Sequence, residues 1–188
     1  MAQRMVGGEQ YEAFLLAGDA DGASITVDGK AYRSVVTFNR PANASGYTAG
    51  DVVGGASSAI HTFSGFGPSG GSVLVQSASM LISSSSVPAG MSGFRLHLFS
   101  SSPSAIADNA VFSVASGEIS SYMGYVDFST PTDIGELLFA QTDYIGRQLK
   151  LASGQTSVFG ELETRGTYTP ASDTTYQIRV STLEAGLA

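Results

Sequence analysis

The sequence contains no cysteine. That absence removes disulfide frameworks, thiolate zinc sites and cysteine nucleophiles together, leaves the redox compartment open, and requires stability to come from packing or assembly. Positive charge is scarce as well. Lys30 and Lys150 are the only lysines, and nine lysines and arginines face sixteen aspartates and glutamates, for a formal net charge of −7. No basic cluster relieves this balance, so the electrostatic footprint of a phosphate backbone is missing and nucleic acid is not expected as a partner. No apolar run approaches the roughly 20 residues that span a bilayer. Around Phe14 the apolar run is short, glutamates precede it and Arg4 is its one basic flank, so neither a membrane span nor a secretory signal is expected.

What is present is a polar, weakly charged, apolar-rich chain. Hydrophobic residues make up 43% and charged residues 13%, which places it among globular proteins rather than disordered ones. Its 188 residues suit one domain. Serine, threonine and 23 glycines supply the surface polarity, a composition of turns and strands. From about Ser24 the apolar residues alternate with polar ones in short runs, the pattern of half-buried strands. Residues 24–27, the pair Asp28-Gly29 and residues 30–38 read as a hairpin, because Asp-Gly tolerates the positive φ of a tight primed turn. Further strands are predicted over residues 60–63, 72–82, 94–99, 123–128, 136–141, 147–151, 157–163 and 175–183. The separators carry Pro41, Pro68, Pro131 and Pro170 with Gly, Asn, Asp and Ser.

This pattern predicts an all-β fold, an antiparallel β-sandwich with a jelly roll as the first choice. One domain over 24–188 follows, with residues 1–23 as an N-terminal arm or edge strand. Short helical turns are predicted at 104–109 and 116–122, where Ser104, Ser116 and Glu118 suit helix starts. Val73, Leu74, Val75, Leu81, Phe94, Leu96, Leu98, Tyr125, Phe128, Leu138, Leu149, Leu151, Phe159, Tyr176, Ile178 and Val180 read as core. Tyr47, Tyr144 and Tyr168 fall in turns and read as exposed aromatics suited to contact with a protein or a sugar.

Several strings imitate chemical motifs. Gly65-Phe66-Gly67-Pro68-Ser69-Gly70 fits G-x-G-x-x-G, and Gly67-Pro68-Ser69-Gly70-Gly71 fits G-x-S-x-G. Both motifs need a following helix, and a strand pattern follows instead, so a turn is the better reading. Asp19-Ala20-Asp21-Gly22 opens like a calcium loop, but the sixth and twelfth positions hold Ser24 and Lys30 rather than glycine and glutamate. An irregular calcium site built from turn carboxylates stays open at this point. His61 and His97 both lie in strand-like runs. In the run 94–99, alternation sends Phe94, Leu96 and Leu98 to the core and Arg95, His97 and Phe99 to the outer face. There Arg95 would lower the basicity of His97 and no carboxylate partner is evident, so a structural histidine is expected. Glu161 and Glu163 share a strand face at the spacing of paired glycosidase carboxylates, as any exposed acidic strand would. No catalytic, cofactor, small-molecule or metal site is assigned.

One stretch carries a resemblance. Leu96-His97-Leu98, the Pro103 loop with Asp108-Asn109, Tyr122-Met123-Gly124-Tyr125-Val126 and Tyr168-Thr169-Pro170 together resemble proteins encoded among the capsid genes of tailed bacteriophages, over about residues 90–185. The resemblance implies a virion structural protein with a jelly-roll-like fold, a head decoration or cement protein, and carries over no functional residues. Its expected partner is the major capsid protein, its location the outer capsid surface, and its state a homo-oligomer, trimer or dimer. An acidic protein suits the outside of a shell packed with polyanion better than the inside. A receptor- or glycan-binding module of a tail fibre or baseplate is the alternative. A polysaccharide hydrolase is a third reading, with Asp143, Glu161 and Glu163 as the carboxylates to test.

Overall fold

Alternation of apolar and polar residues becomes strands almost wherever it occurs. In the computed structural model, the described residues are 30–185 together with β1 (Met5–Val6) and β2 (Glu9–Gln10), which pair with each other. The first half of the expected hairpin and, that pairing apart, the arm assigned to residues 1–23 lie outside the described residues. The remaining strands are β3 (Ala31–Asn39), β4 (Val52–Val53), β5 (His61–Phe63), β6 (Ser72–Ile82), β7 (Phe94–Phe99), β8 (Tyr122–Phe128), β9 (Thr132–Asp133), β10 (Leu138–Thr142), β11 (Arg147–Lys150), β12 (Val158–Thr164) and β13 (Thr175–Glu184).

Two antiparallel sheets result. One runs β3-β13-β6-β10-β9, with β11 continuing along β6 beyond the end of β10. The other runs β12-β7-β8, with β4 and β5 side by side along the outer edge of β12. With β4 and β5 counted as one strand, β10 and β11 as one, and the two-residue β9 set aside, the sheets β3-β13-β6-β10 and β4-β12-β7-β8 have the order of an eight-stranded jelly roll, in which every step along the chain changes sheet except β7 to β8. The expected sandwich and its first-choice topology are therefore observed.

Inward-facing residues build one core. Val73, Val75, Met80 and Ile82 of β6 and Tyr176, Ile178 and Val180 of β13 meet Phe94, Leu96 and Leu98 of β7 and Leu162 of β12. Each fully buried side chain of this kind contributes about 1.5–3 kcal/mol. Gly160 on β12 leaves the space taken by Phe63, since a Cβ there would stand 2.9 Å from the Phe63 ring. Four of the expected core residues instead face outward. Leu74, Leu81 and Phe159 are half-buried on outer faces, and Tyr125 is 37% exposed beneath the Arg95 guanidinium, 3.7 Å from its ring centroid.

The only helical turn among the described residues is the 3₁₀ segment Ser116–Glu118, inside the second predicted helical stretch. The first, 104–109, is irregular. Its end is claimed by the 50–52 backbone: Asn109 N donates to Val52 O, Val52 N to Ala110 O and Phe112 N to Gly50 O. Asn109 itself has φ +64°, which stops a right-handed turn. No helix among the described residues is long and apolar enough to cross a membrane.

Loop ends are joined at close quarters. Gly90 has φ +85°, and a Cβ there would press into the Thr167 carbonyl oxygen far inside van der Waals contact. Gly90→Ala is expected to cost about 2 kcal/mol or more from strain plus displaced backbone. Urea unfolding checks this: a midpoint unchanged from wild type would contradict the packing described.

Candidate functional site

Outside the core, the outer face of the β7-β12 sheet is buried too. The 100–121 loop leaves β7, crosses this face and returns to β8, closed at its base by Ser100 N donating to Ser121 O at 2.8 Å. Beneath it lies a polar layer. His97 is 5% exposed and stacks on Phe112 of the loop, ring centroids 3.7 Å apart. Its Nε2 lies 2.9 Å from Glu163 Oε2 and its Nδ1 3.0 Å from the Tyr122 hydroxyl. Glu163 Oε1 accepts from Arg165 at 2.8 Å. The expectation that His97 lacks a carboxylate partner is thus corrected by Glu163, and the outer face on which it was expected proves to be covered. Alternation placed the side chain on the right face, but the loop buries it, and Arg95 turns away to a bidentate pair with Asp127 at 2.7 and 3.0 Å.

Burial lowers the His97 pKa, with Glu163 opposing it. Both ring nitrogens are engaged within the protein and one ring face is covered. Glu161, on the same face of β12, is also buried, where an exposed pair was expected. Its Oε1 accepts from Ile106 N of the loop at 3.3 Å, and burial pushes its pKa up to about 7. The two glutamates and His97 therefore hold the loop down.

A second polar cluster fastens the same loop to its neighbours. Arg40 is 0% exposed. Its Nε donates to the Tyr47 hydroxyl at 3.2 Å, its terminal nitrogens donate to Asn43 Oδ1 and to the carbonyls of Asn43 and Ala171, and Asp108 Oδ2 stands 3.7 Å away. Asp108 Oδ1 accepts from Tyr47 at 2.6 Å and from Gly54 N at 2.9 Å. With its amide oriented to satisfy both partners, Asn109 donates to Gly46 O and Asp51 Oδ2. The Asp108-Asn109 pair, expected only to shape a turn, thus locks the 40–51, 100–121 and 165–174 loops together. Arg40 escaped notice because its partner is 68 positions away; a lone arginine beside proline gives no sequence signal.

Tyr47 and Tyr168 belong to this junction. They were expected to be exposed; both are buried, bridging to each other through backbone hydrogen bonds of 2.8 and 3.2 Å. Burial raises both phenol pKa values. Tyr144 alone of the three is exposed. His61 is buried against Phe38, ring centroids 4.0 Å apart. The 65–71 segment is the turn expected of it, leading straight into β6, with Ser69 exposed at its tip. Asp19 and Asp21 lie outside the described residues, and no three acidic or histidine side chains converge on a metal-sized site among the described ones.

Three of the seven exposed large apolar side chains among the described residues, Val111, Ile134 and Leu137, lie at one end of the sandwich, while Val35, Ile119, Tyr125 and Tyr144 lie elsewhere. Val111 is 72% exposed and bridges Asp51, whose carbonyl accepts from Thr164 N at the end of β12. Ile134, 57% exposed, and Leu137 cap the β9–β10 turn. That turn belongs to the same end, since Leu138 pairs with Ile82 and Ile82 with Tyr176 at the start of β13, next to the 165–174 loop.

No protein-family model and no curated protein matches this chain. Among solved structures, a chain of the cyanophage Pam1 capsid asymmetric unit is similar at 12% identity and a TM-score of 0.32, over 93% of this chain and 98% of its own. A chain of the native virion of Kashmir bee virus at neutral pH is similar at 9% identity and a TM-score of 0.29, over 100% of this chain and 90% of its own. A chain of a marine algae virus of the order Picornavirales is similar at 11% identity and a TM-score of 0.23, over 98% and 85%.

Proposed function

We propose that this protein is a non-enzymatic bacteriophage capsid decoration, or cement, protein that binds the outer surface of the major capsid protein shell and stabilises it. The observation that carries the reading is the end of a jelly roll at which Val111, Ile134 and Leu137 stand exposed, while Asp51, Asp108 and Glu163 behind Val111 are spent on internal contacts. Such a surface works by burying area against other protein, and a shell multiplies a modest contact over many equivalent sites. The Leu96-His97-Leu98, Tyr122–Val126 and Tyr168-Thr169-Pro170 resemblance and the net charge of −7 support the same reading. Bridging two capsid subunits from one decoration unit, as a trimer or dimer, would make shell expansion break both contacts. Sedimentation with purified shells lacking this protein tests the contact. The double variant Val111→Asp, Ile134→Asp is expected to keep its melting temperature and bind at least about tenfold more weakly. Binding equal to wild type would refute this contact surface.

A further inference from the structure

The outer face of the β6 sheet carries a feature that shell binding does not use. β6 bulges at Gln76, where the pairing with β13 shifts between Ser181 and Thr182. Opposite the bulge the sixth strand of the roll is broken into β10 and β11, and residues 143–146 form the break. Tyr144 stands at its tip, 99% exposed, with φ +54°. Among the described residues the other two non-glycine residues with positive φ are Asn109 and Asp173, types that tolerate this region better than an aromatic side chain does. The turn is nevertheless held in place, because Ile145 N donates to Gln76 O and Gly146 N to Val75 O, both at 3.0 Å. A strained, fixed and fully exposed ring is a mark of a recognition tip rather than of folding.

Beside the ring lies a groove of about 520 Å3, within the size range of small-ligand sites. Leu74, Val75, Gln76, Ser77, Asp143 and Gly146 line it beside Tyr144. Gln141 Nε2 donates to both carboxylate oxygens of Asp143 at 2.8 Å, fixing that carboxylate and leaving its remaining lone pairs for other donors. We infer that the Tyr144 groove binds an oligosaccharide: a pyranose stacks its C–H face on the Tyr144 ring while its hydroxyls donate to Asp143 and exchange hydrogen bonds with Gln76 and Ser77. The surroundings favour a sugar over a protein. A protein hot spot sits within a water-excluding ring of apolar contacts, whereas the exposed neighbours of Tyr144 are Gln76, Gln141, Asp143 and Gly146.

The inference stands apart from the shell reading, and its test needs no particle. Isothermal titration of the full chain with maltohexaose, cellohexaose and chitohexaose, at concentrations up to millimolar, is expected to show binding to at least one. Tyr144→Phe keeps the ring and is expected to bind that sugar within about threefold of wild type, while Tyr144→Gly loses at least about tenfold. Because glycine accepts positive φ, Tyr144→Gly is expected to melt no lower than wild type, which separates lost binding from lost fold. Absence of binding to all three sugars, or equal binding by Tyr144→Gly, overturns the inference. So does a Tyr144→Gly protein whose one deficit is in sedimenting with shells, which would assign the ring to a protein contact.

Discussion

Replacing Arg40 by methionine is expected to lower the unfolding free energy by about 3–5 kcal/mol, the usual cost of stranding one member of a buried charged network. Methionine keeps much of the packing volume but supplies none of the donors. Asp108, the Tyr47 hydroxyl and the carbonyls of Asn43 and Ala171 would lose their shared partner, the Tyr47 hydroxyl in a buried site and Asp108 in a half-buried one. Three loops meet there, so the loss should not stay local: hydrogen exchange at Val52, Asn109 and Phe112 should rise together. The paired variant Arg40→Met, Asp108→Asn should recover part of the loss, since it removes the orphaned charge. Urea unfolding of the two variants checks both statements. A single-variant loss below about 1 kcal/mol would mean that Arg40 is an ordinary surface residue, contrary to the network described.

The second large effect is a pair of opposed pH dependences. Glu161 is raised from 4.5 to about 7, first by burial, with the Ile106 N–H opposing and Glu118 adding to the rise. A raised carboxyl stabilises the fold fully below pH 4.5, and that contribution is lost as pH climbs through 7. His61 is lowered from 6.5 to about 4 by burial, against a hydrogen bond to the Val53 backbone. A lowered imidazole contributes fully above pH 6.5, and that contribution is lost as pH falls through 4. Each displacement corresponds to about 3 kcal/mol. The two slopes oppose each other, so the wild-type profile understates both groups. Glu161→Gln removes one of them. Its stability relative to wild type should grow by about 3 kcal/mol between pH 4.5 and 7, while His61→Phe should remove the acid-side loss. Profiles parallel to wild type in both variants would contradict the burial of these groups.

Strands and topology class were legible because period-2 alternation and turn residues are local. The runs 72–82 and 94–99 match β6 and β7, whereas Val52–Val53 is too short to show any period. The site was legible only in part. Alternation put His97 on the outer face, but its burial depends on a loop that closes between Ser100 and Ser121, and its partner Glu163 lies 66 positions away. Tyr47 and Tyr168 look like exposed loop tyrosines until the chain brings them together across 121 positions. Tyr144 reads the same way in the sequence and is the one left in solvent. Nothing local distinguishes the three; the fold does.

A reconstruction of the intact virion tests the central reading most directly. The expected result is density for this sandwich at every equivalent position on the outer surface of the head, with the Val111 and Ile134 end against the major capsid protein. Density confined to the tail tip, or found on the inner face of the shell, would contradict it.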